Sequence, residues 1–222
     1  MKKLLQLVFV FQLFATASQA QLFQNFLGKA TPVERCNSVA IGPDSAFVMA
    51  GNYKSTSGAT LSVPAMIRLT KTGTVQWAKQ FNITGSGANA SGNAIYNDVV
   101  KTTAGKAGGH VTVINKGASV YVVRTNNAGA VLWSRQITTG SPKGTCIKSV
   151  YLASGALDGF YFTFTGGKAN TGSALMRLDA NGNSVWQRNI IPNDGISNIA
   201  FKDLQVTADG GCIITGETKD IF

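Results

Sequence analysis

The chain has 222 residues, 44% of them hydrophobic and 14% charged, with 20 Lys plus Arg against 10 Asp plus Glu. That length supports one domain with a substantial core. The basic excess favours anionic partners such as acidic polysaccharide or a lipopolysaccharide surface, but the basic residues are scattered without a run or a basic helix, which argues against a nucleic-acid partner.

In chain order, Met1–Ala20 pair Lys2 and Lys3 with an apolar run from Leu4 to Ala15 and close on Ser18-Gln19-Ala20. This pattern predicts a secretory signal peptide over residues 1–20. Nothing later approaches the roughly 20 apolar residues of a spanning helix, so no transmembrane segment is expected. The mature chain is expected outside the cell, at its surface or in the periplasm. Without Lys2 and Lys3 it carries 18 basic against 10 acidic residues, a balance of +8. No cysteine stands at the cleavage site, so lipid attachment is not expected.

Leu22–Gly28 reads as one isolated strand, with Phe23 where later units carry tryptophan. Residues 21–222 then read as one all-β repeat domain: glycine, Val, Ile, Thr and Phe are common, and no stretch keeps a helical period. Arg68, Gly73 and Trp77 recur as Arg124, Gly129 and Trp133, and again as Arg177, Gly182 and Trp186. Glycine follows arginine by five residues and tryptophan follows glycine by four, and the tryptophans stand 56 and 53 residues apart. Such a period suits a four-stranded unit.

Two further strands precede each hairpin. Segments starting at Ser38, Asp98, Ser149 and Asp203 each read as a β-rich run, a Gly/Asp-rich turn and a second run. The units lie at about 35–82, 95–138, 146–191 and, incomplete, 199–222, with tryptophan on the fourth strand. Segments such as Phe47-Val48-Met49-Ala50 are apolar at successive positions and call for cover on both faces. A fixed aromatic per unit fills the gap between neighbouring sheets. The glycine supplies the positive φ of a tight turn, and the arginine, placed diagonally from the tryptophan, is read as a packing or cation–π element.

Leu178-Asp-Ala-Asn-Gly-Asn-Ser-Val-Trp186 and Thr207-Ala-Asp-Gly-Gly-Cys-Ile-Ile-Thr-Gly-Glu-Thr218 resemble the repeats of bacterial secreted β-propeller proteins. The resemblance implies a propeller of four-stranded antiparallel blades, about four of them in this chain, and an exported or surface location. It implies no particular ligand. Two arrangements fit: a partial propeller with further blades beyond Phe222, or a minimal four-bladed ring that Leu22–Gly28 completes.

No catalytic site, cofactor site or metal site is read from the sequence. Three cysteines, Cys36, Cys146 and Cys212, leave at least one unpaired, and a Cys36–Cys212 bridge requires the ends to meet. His110, the sole histidine, takes the slot of Phe47, Phe160 and Cys212 and is expected to be structural. Asp179-Ala-Asn181-Gly-Asn183 has the alternating oxygens of a calcium loop but lacks its downstream glutamate, so a hairpin turn is expected. Asp98 and Asp203, matched by Ser38 and Ser149, face either a shared channel or their own strand starts. The Asp-x-x-Gly-x-x-x-Trp pattern is also similar to quinoprotein propellers and outer-membrane assembly scaffolds, but cofactor and calcium ligands of the quinoprotein kind are not identified. The expected role is a non-enzymatic scaffold for a protein or polysaccharide ligand; the alternative is a secreted hydrolase or quinoprotein-like enzyme.

Overall fold

The computed structural model describes residues 33–54, 62–81, 92–139, 143–166, 173–190 and 198–219. The signal peptide expected at 1–20, the strand expected at 22–28 and residues 220–222 lie outside the described residues. Fourteen strands follow one another in these stretches without a helix.

Sheet 1 contains β1 (Val33–Ile41), β2 (Phe47–Lys54), β3 (Val63–Leu69) and β4 (Val75–Gln80). Sheet 2 contains β5 (Gly92–Lys101), β6 (Ala107–Lys116), β7 (Ser119–Thr125) and β8 (Val131–Thr139). Sheet 3 contains β9 (Lys143–Tyr151), β10 (Leu157–Thr165), β11 (Ser173–Asp179) and β12 (Ser184–Ile190). β13 (Asn198–Val206) and β14 (Cys212–Lys219) form a two-stranded sheet. Within each sheet every strand pairs antiparallel with its neighbour in sequence. The tryptophans stand on the fourth strands β4, β8 and β12.

Successive sheets meet through their first strands, β1 beside β5, β5 beside β9 and β9 beside β13. The fourth strands form the outer edges. The described residues are therefore an all-β array of propeller type: three four-stranded blades followed by a two-stranded one.

Local chemistry sets the meander. Seven tight turns among the described residues close alike, with the first residue donating to the carbonyl four on and the fourth residue donating back to the first. The fourth residue needs positive φ and is glycine in six turns, among them Gly73, Gly129 and Gly182 (φ 84°, 78° and 80°). The exception is Ser45, at φ 59°. Because the strands alternate in direction, these turns share one end of the array.

Burial records the stacking. Sheet 2 lies between sheets 1 and 3, so all seven residues of β7 are buried, whereas β3 alternates between buried and half-buried. Each interface has its own apolar cluster. Val48, Met66 and Phe81 pack on Val99, Ile114, Tyr121 and Val123. Val100, Val111, Val113, Val120 and Val122 pack on Ile147, Phe160, Phe162, Phe164 and Met176. Cys146 and Leu175 pack on Leu204. Burying a large aliphatic or aromatic side chain is worth about 1.5–3 kcal/mol, so these clusters dominate the cohesion between blades.

Candidate functional site

The recurrent arginines sit under the tight turns. Arg124 and Arg177 are 7% and 8% exposed. Arg124 donates through Nη1 to the carbonyls of His110 (3.2 Å) and Thr125, and through Nη2 to the carbonyl of Gly108 (3.0 Å). Arg177 repeats this with the carbonyls of Phe160 (3.4 Å) and Leu178, and its Nη2 meets Asp158 Oδ2 at 2.5 Å. Arg68 bonds Asp44 and Gln76. Burial lowers the pKa of Arg124 to about 10, which leaves it cationic at neutral pH with backbone carbonyls as counter-dipoles. The approach depends on Gly109 and Gly159, where a Cβ would fall 2.6 and 2.4 Å from the Nη1 atoms of Arg124 and Arg177.

The arginine is not diagonal to the tryptophan, as the sequence suggests, but directly opposite: Arg68 faces Trp77, Arg124 faces Trp133 and Arg177 faces Trp186. A bulge after each arginine shifts the register beside the turn, and sequence spacing does not reveal it. The packing role holds, since all three arginines are buried and Arg177 lies 5.3 Å from the Tyr161 ring, but other cations stand over the indoles. Arg135 lies 5.9 Å from the Trp133 ring and Arg188 lies 5.5 Å from the Trp186 ring, each two residues further along the same strand.

The indoles of Trp77 and Trp133 reach the following sheet. Trp77 Nε1 donates to the Asn127 carbonyl at 3.0 Å, and Trp133 Nε1 to the Ala180 carbonyl at 3.2 Å. A Cβ on Gly129 would lie 3.2 Å from the Trp77 ring, and one on Gly182 would lie 2.7 Å from the Trp133 ring. The turn glycine is thus also the surface on which the preceding blade's tryptophan rests.

On the first strands, Asp98 Oδ2 accepts the Ser149 N–H at 2.8 Å and Oδ1 lies 3.9 Å from Lys148 Nζ. Asn97 accepts from Ser38 Oγ at 2.5 Å and donates to the Val48 carbonyl at 3.0 Å. Measured back from the first turn residue, the counterpart of Ser38, Asp98 and Asp203 is Lys148, so the match with Ser149 is one residue out of step. A one-residue slip exchanges the two faces of a strand: Ser149 is 7% exposed and inward. Asp98 therefore staples β5 to β9, and the carboxylate of Asp203 accepts the Leu204 N–H at 2.8 Å.

His110 is 1% exposed, with its ring 5.6 Å from that of Trp77, and neither ring nitrogen has a hydrogen-bond partner. Burial, reinforced by the charges of Arg68 and Arg124, lowers its pKa to about 4. Phe160 takes the same place in sheet 3, edge-on to Trp133 at 5.9 Å. Cys36, Cys146 and Cys212 are all free thiols. In the turn after β11, Asp179 Oδ1 accepts the N–H groups of Asn181 (2.9 Å) and Asn183 (2.8 Å), and Oδ2 accepts Asn183 Nδ2 (2.9 Å). Slight burial opposes ionisation there, but these bonds hold the carboxyl below the usual carboxylate range. The described residues hold no group of three or more His, Cys, Asp or Glu placed to share a metal ion.

Two surfaces were not anticipated from the sequence. The face of sheet 1 turned away from sheet 2 carries a groove of about 700 Å³ lined by Met49, Gly51, Ala65, Ile67 and Ala78, with Arg35 and Cys36 beside it. The corresponding faces of sheets 2 and 3 are covered by the preceding sheet. The second is the outer edge, where Lys79, Arg135 and Arg188 each stand two residues past a tryptophan and are exposed, each followed by Gln80, Gln136 or Asn189. The signal that finds this row is in the repeat itself, Trp-x-Lys/Arg-Gln/Asn.

Neither a family model nor a curated protein matches the sequence. Among solved structures, the chain is similar to a protein of unknown function from Bacteroides caccae, at 14% identity and a TM-score of 0.48, covering 87% of this chain and 56% of that one. It is also similar to a Lactobacillus plantarum protein, at 12% identity and a TM-score of 0.47, covering 87% of this chain and 67% of that one. A periplasmic gluconolactonase of Pseudomonas aeruginosa aligns at 12% identity and a TM-score of 0.34, covering 80% of this chain and 64% of that one. The chain thus spans little more than half the length of the Bacteroides protein.

Proposed function

We propose that this chain is an exported propeller-type scaffold that binds a protein or polysaccharide ligand without transforming it. The observation that carries this reading is where the recurrent polar groups go. Arg124 and Arg177 hold backbone carbonyls, Asp98 joins two blades, Asp179 closes its own turn and the indoles of Trp77 and Trp133 bond neighbouring turns. A reacting centre needs a nucleophile, base or acid within hydrogen-bond reach of a common point. These groups are instead distributed along the blade junctions. On this reading the Arg, Gly and Trp positions of the repeat are fold determinants, and ligand contact falls to surfaces outside them.

The test is a glycan and protein-ligand array with the mature chain, run beside a hydrolase and dehydrogenase substrate panel. Retention of a ligand without turnover is the expected result. Turnover abolished by a single carboxylate substitution overturns the reading.

A further inference from the structure

We propose that the exposed outer strands β4, β8 and β12 form a binding edge for an anionic polysaccharide, with Lys79, Arg135 and Arg188 as its cations. This rests on the scaffold reading and names the ligand class and the surface.

The outer strands are free of acids. β4, β8 and β12 contain no acidic residue, and their cations Lys79, Arg135 and Arg188 form no ion pair among the described residues. Acids elsewhere in the array are engaged: Asp44 by Arg68, Asp158 by Arg177, Glu217 by Lys202, Asp98 by the Ser149 N–H, and Asp179 and Asp209 by their own turns. The edge therefore presents one uncompensated positive charge on each of the three four-stranded blades.

These cations are positioned as well as exposed. The guanidinium carbons of Arg135 and Arg188 lie 5.9 and 5.5 Å from the Trp133 and Trp186 rings, within cation–π range, and Arg135 Nη1 donates to the Ser134 carbonyl at 3.3 Å. The stems of Lys79 and Arg135 run over the turn glycines of the next blade, within 3.0 Å of where Gly129 and Gly182 would carry a Cβ. Each cation is followed by an exposed amide, Gln80, Gln136 or Asn189. A guanidinium or ammonium suits a carboxylate or sulfate, and an amide suits sugar hydroxyls from both its donor and its acceptor. Repetition of this pair from blade to blade fits a polymer whose charge also repeats. A polyanionic sugar chain matches it better than a single small anion, since each contact is exposed and weak and affinity comes from their number.

An open sheet edge can also carry lysine and arginine only to discourage pairing with other strands, so the experiment separates the two roles. Affinity for sodium polygalacturonate is measured by calorimetry, with neutral dextran and a single-stranded oligonucleotide as comparators. The variants are K79Q/R135Q/R188Q, the charge-keeping K79R/R135K/R188K, and K101Q/K106Q/K143Q, which removes equal charge from other exposed positions. Circular dichroism and Tm establish that each is folded, and Arg188→Glu alone provides a second route if the triple variant is not.

We expect polygalacturonate to bind and dextran not to. The edge substitution should weaken binding at least about tenfold, while the charge-keeping and off-edge variants should stay close to the parent. Equal loss in the off-edge variant, unchanged affinity in the edge variant with increased aggregation, or tighter binding of the oligonucleotide each overturns the assignment. Those outcomes leave the scaffold reading standing; that reading fails separately if the parent chain binds nothing in the glycan and protein array.

Discussion

The indole N–H of Trp133 donates to the backbone carbonyl of Ala180 at 3.2 Å, joining the outer strand of one blade to the hairpin turn of the next. The same indole packs edge-on against Phe160 and lies beside Gly182. Trp133→Ala removes all three contacts and should cost about 3 kcal/mol, the low end for a large aromatic because the ring is partly exposed. Trp133→Phe keeps most of the packing and should cost about 1 kcal/mol for the hydrogen bond. Urea denaturation of the two variants checks the order, and a loss near zero for the alanine variant would place the ring outside the junction.

Gly182 and Gly210 share a turn conformation, φ 80° and 82°, but not their surroundings. A Cβ at Gly182 meets the Trp133 ring at 2.7 Å, while one at Gly210 meets nothing within 4 Å. Gly210→Ala should therefore cost about 1 kcal/mol of backbone strain alone. Gly182→Ala should cost at least twice that, and equal losses by thermal denaturation would show that the tryptophan yields freely.

Ser45 occupies with φ 59° the turn position that glycine takes in the other six turns. Ser45→Gly should stabilise the chain by about 1 kcal/mol, as the left-handed penalty outweighs the extra freedom glycine gives the unfolded chain. A rise in the denaturation midpoint with unchanged slope is the expected signature.

His110 supplies a pH dependence whose sign follows from its neutral folded form. Its pKa is about 4 in the folded chain, lowered by burial and by Arg68 and Arg124, against 6.5 for a free histidine. Between those values the unfolded chain takes up a proton that the folded chain refuses, so the histidine's contribution lowers stability as pH drops from 6.5 towards 4 and is constant below it. The full swing is about 3 kcal/mol by the usual conversion. His110→Phe, which copies the residue that sheet 3 carries as Phe160, should stabilise the chain at neutral pH by removing two unpartnered buried nitrogens. It should also flatten the acid side of the profile, and a variant that loses stability as steeply as the parent between pH 6.5 and 4 would assign the effect to other groups.

Much of the architecture is legible along the chain because it is local. The four-strand unit, its tight turns and the place of tryptophan on the fourth strand follow from residue spacing and from glycine's freedom at positive φ. The functional surface is less legible. The eye is drawn to Arg68, Arg124 and Arg177 because they repeat, yet these are buried under the turns. Lys79, Arg135 and Arg188 repeat just as regularly and are the exposed ones. Only strand register, with a bulge after each buried arginine, decides which cation points inward.

The same division holds for the inner strands. Asp98 and Ser149 look equivalent in sequence, but Lys148 is the true counterpart, and the carboxylate of Asp98 reaches across to the neighbouring strand. By itself the sequence determined the repeat, the all-β class and the turn chemistry, since each depends on residues a few positions apart. The tertiary structure alone decided which face each side chain takes, which polar groups are engaged between blades, and which charges remain free at the outer edge. The facing of a side chain depends on strand register, where a shift of one position reverses inside and outside, and the engagement of polar groups depends on contacts between blades some fifty residues apart, such as Trp77 with Asn127 and Asp98 with Ser149.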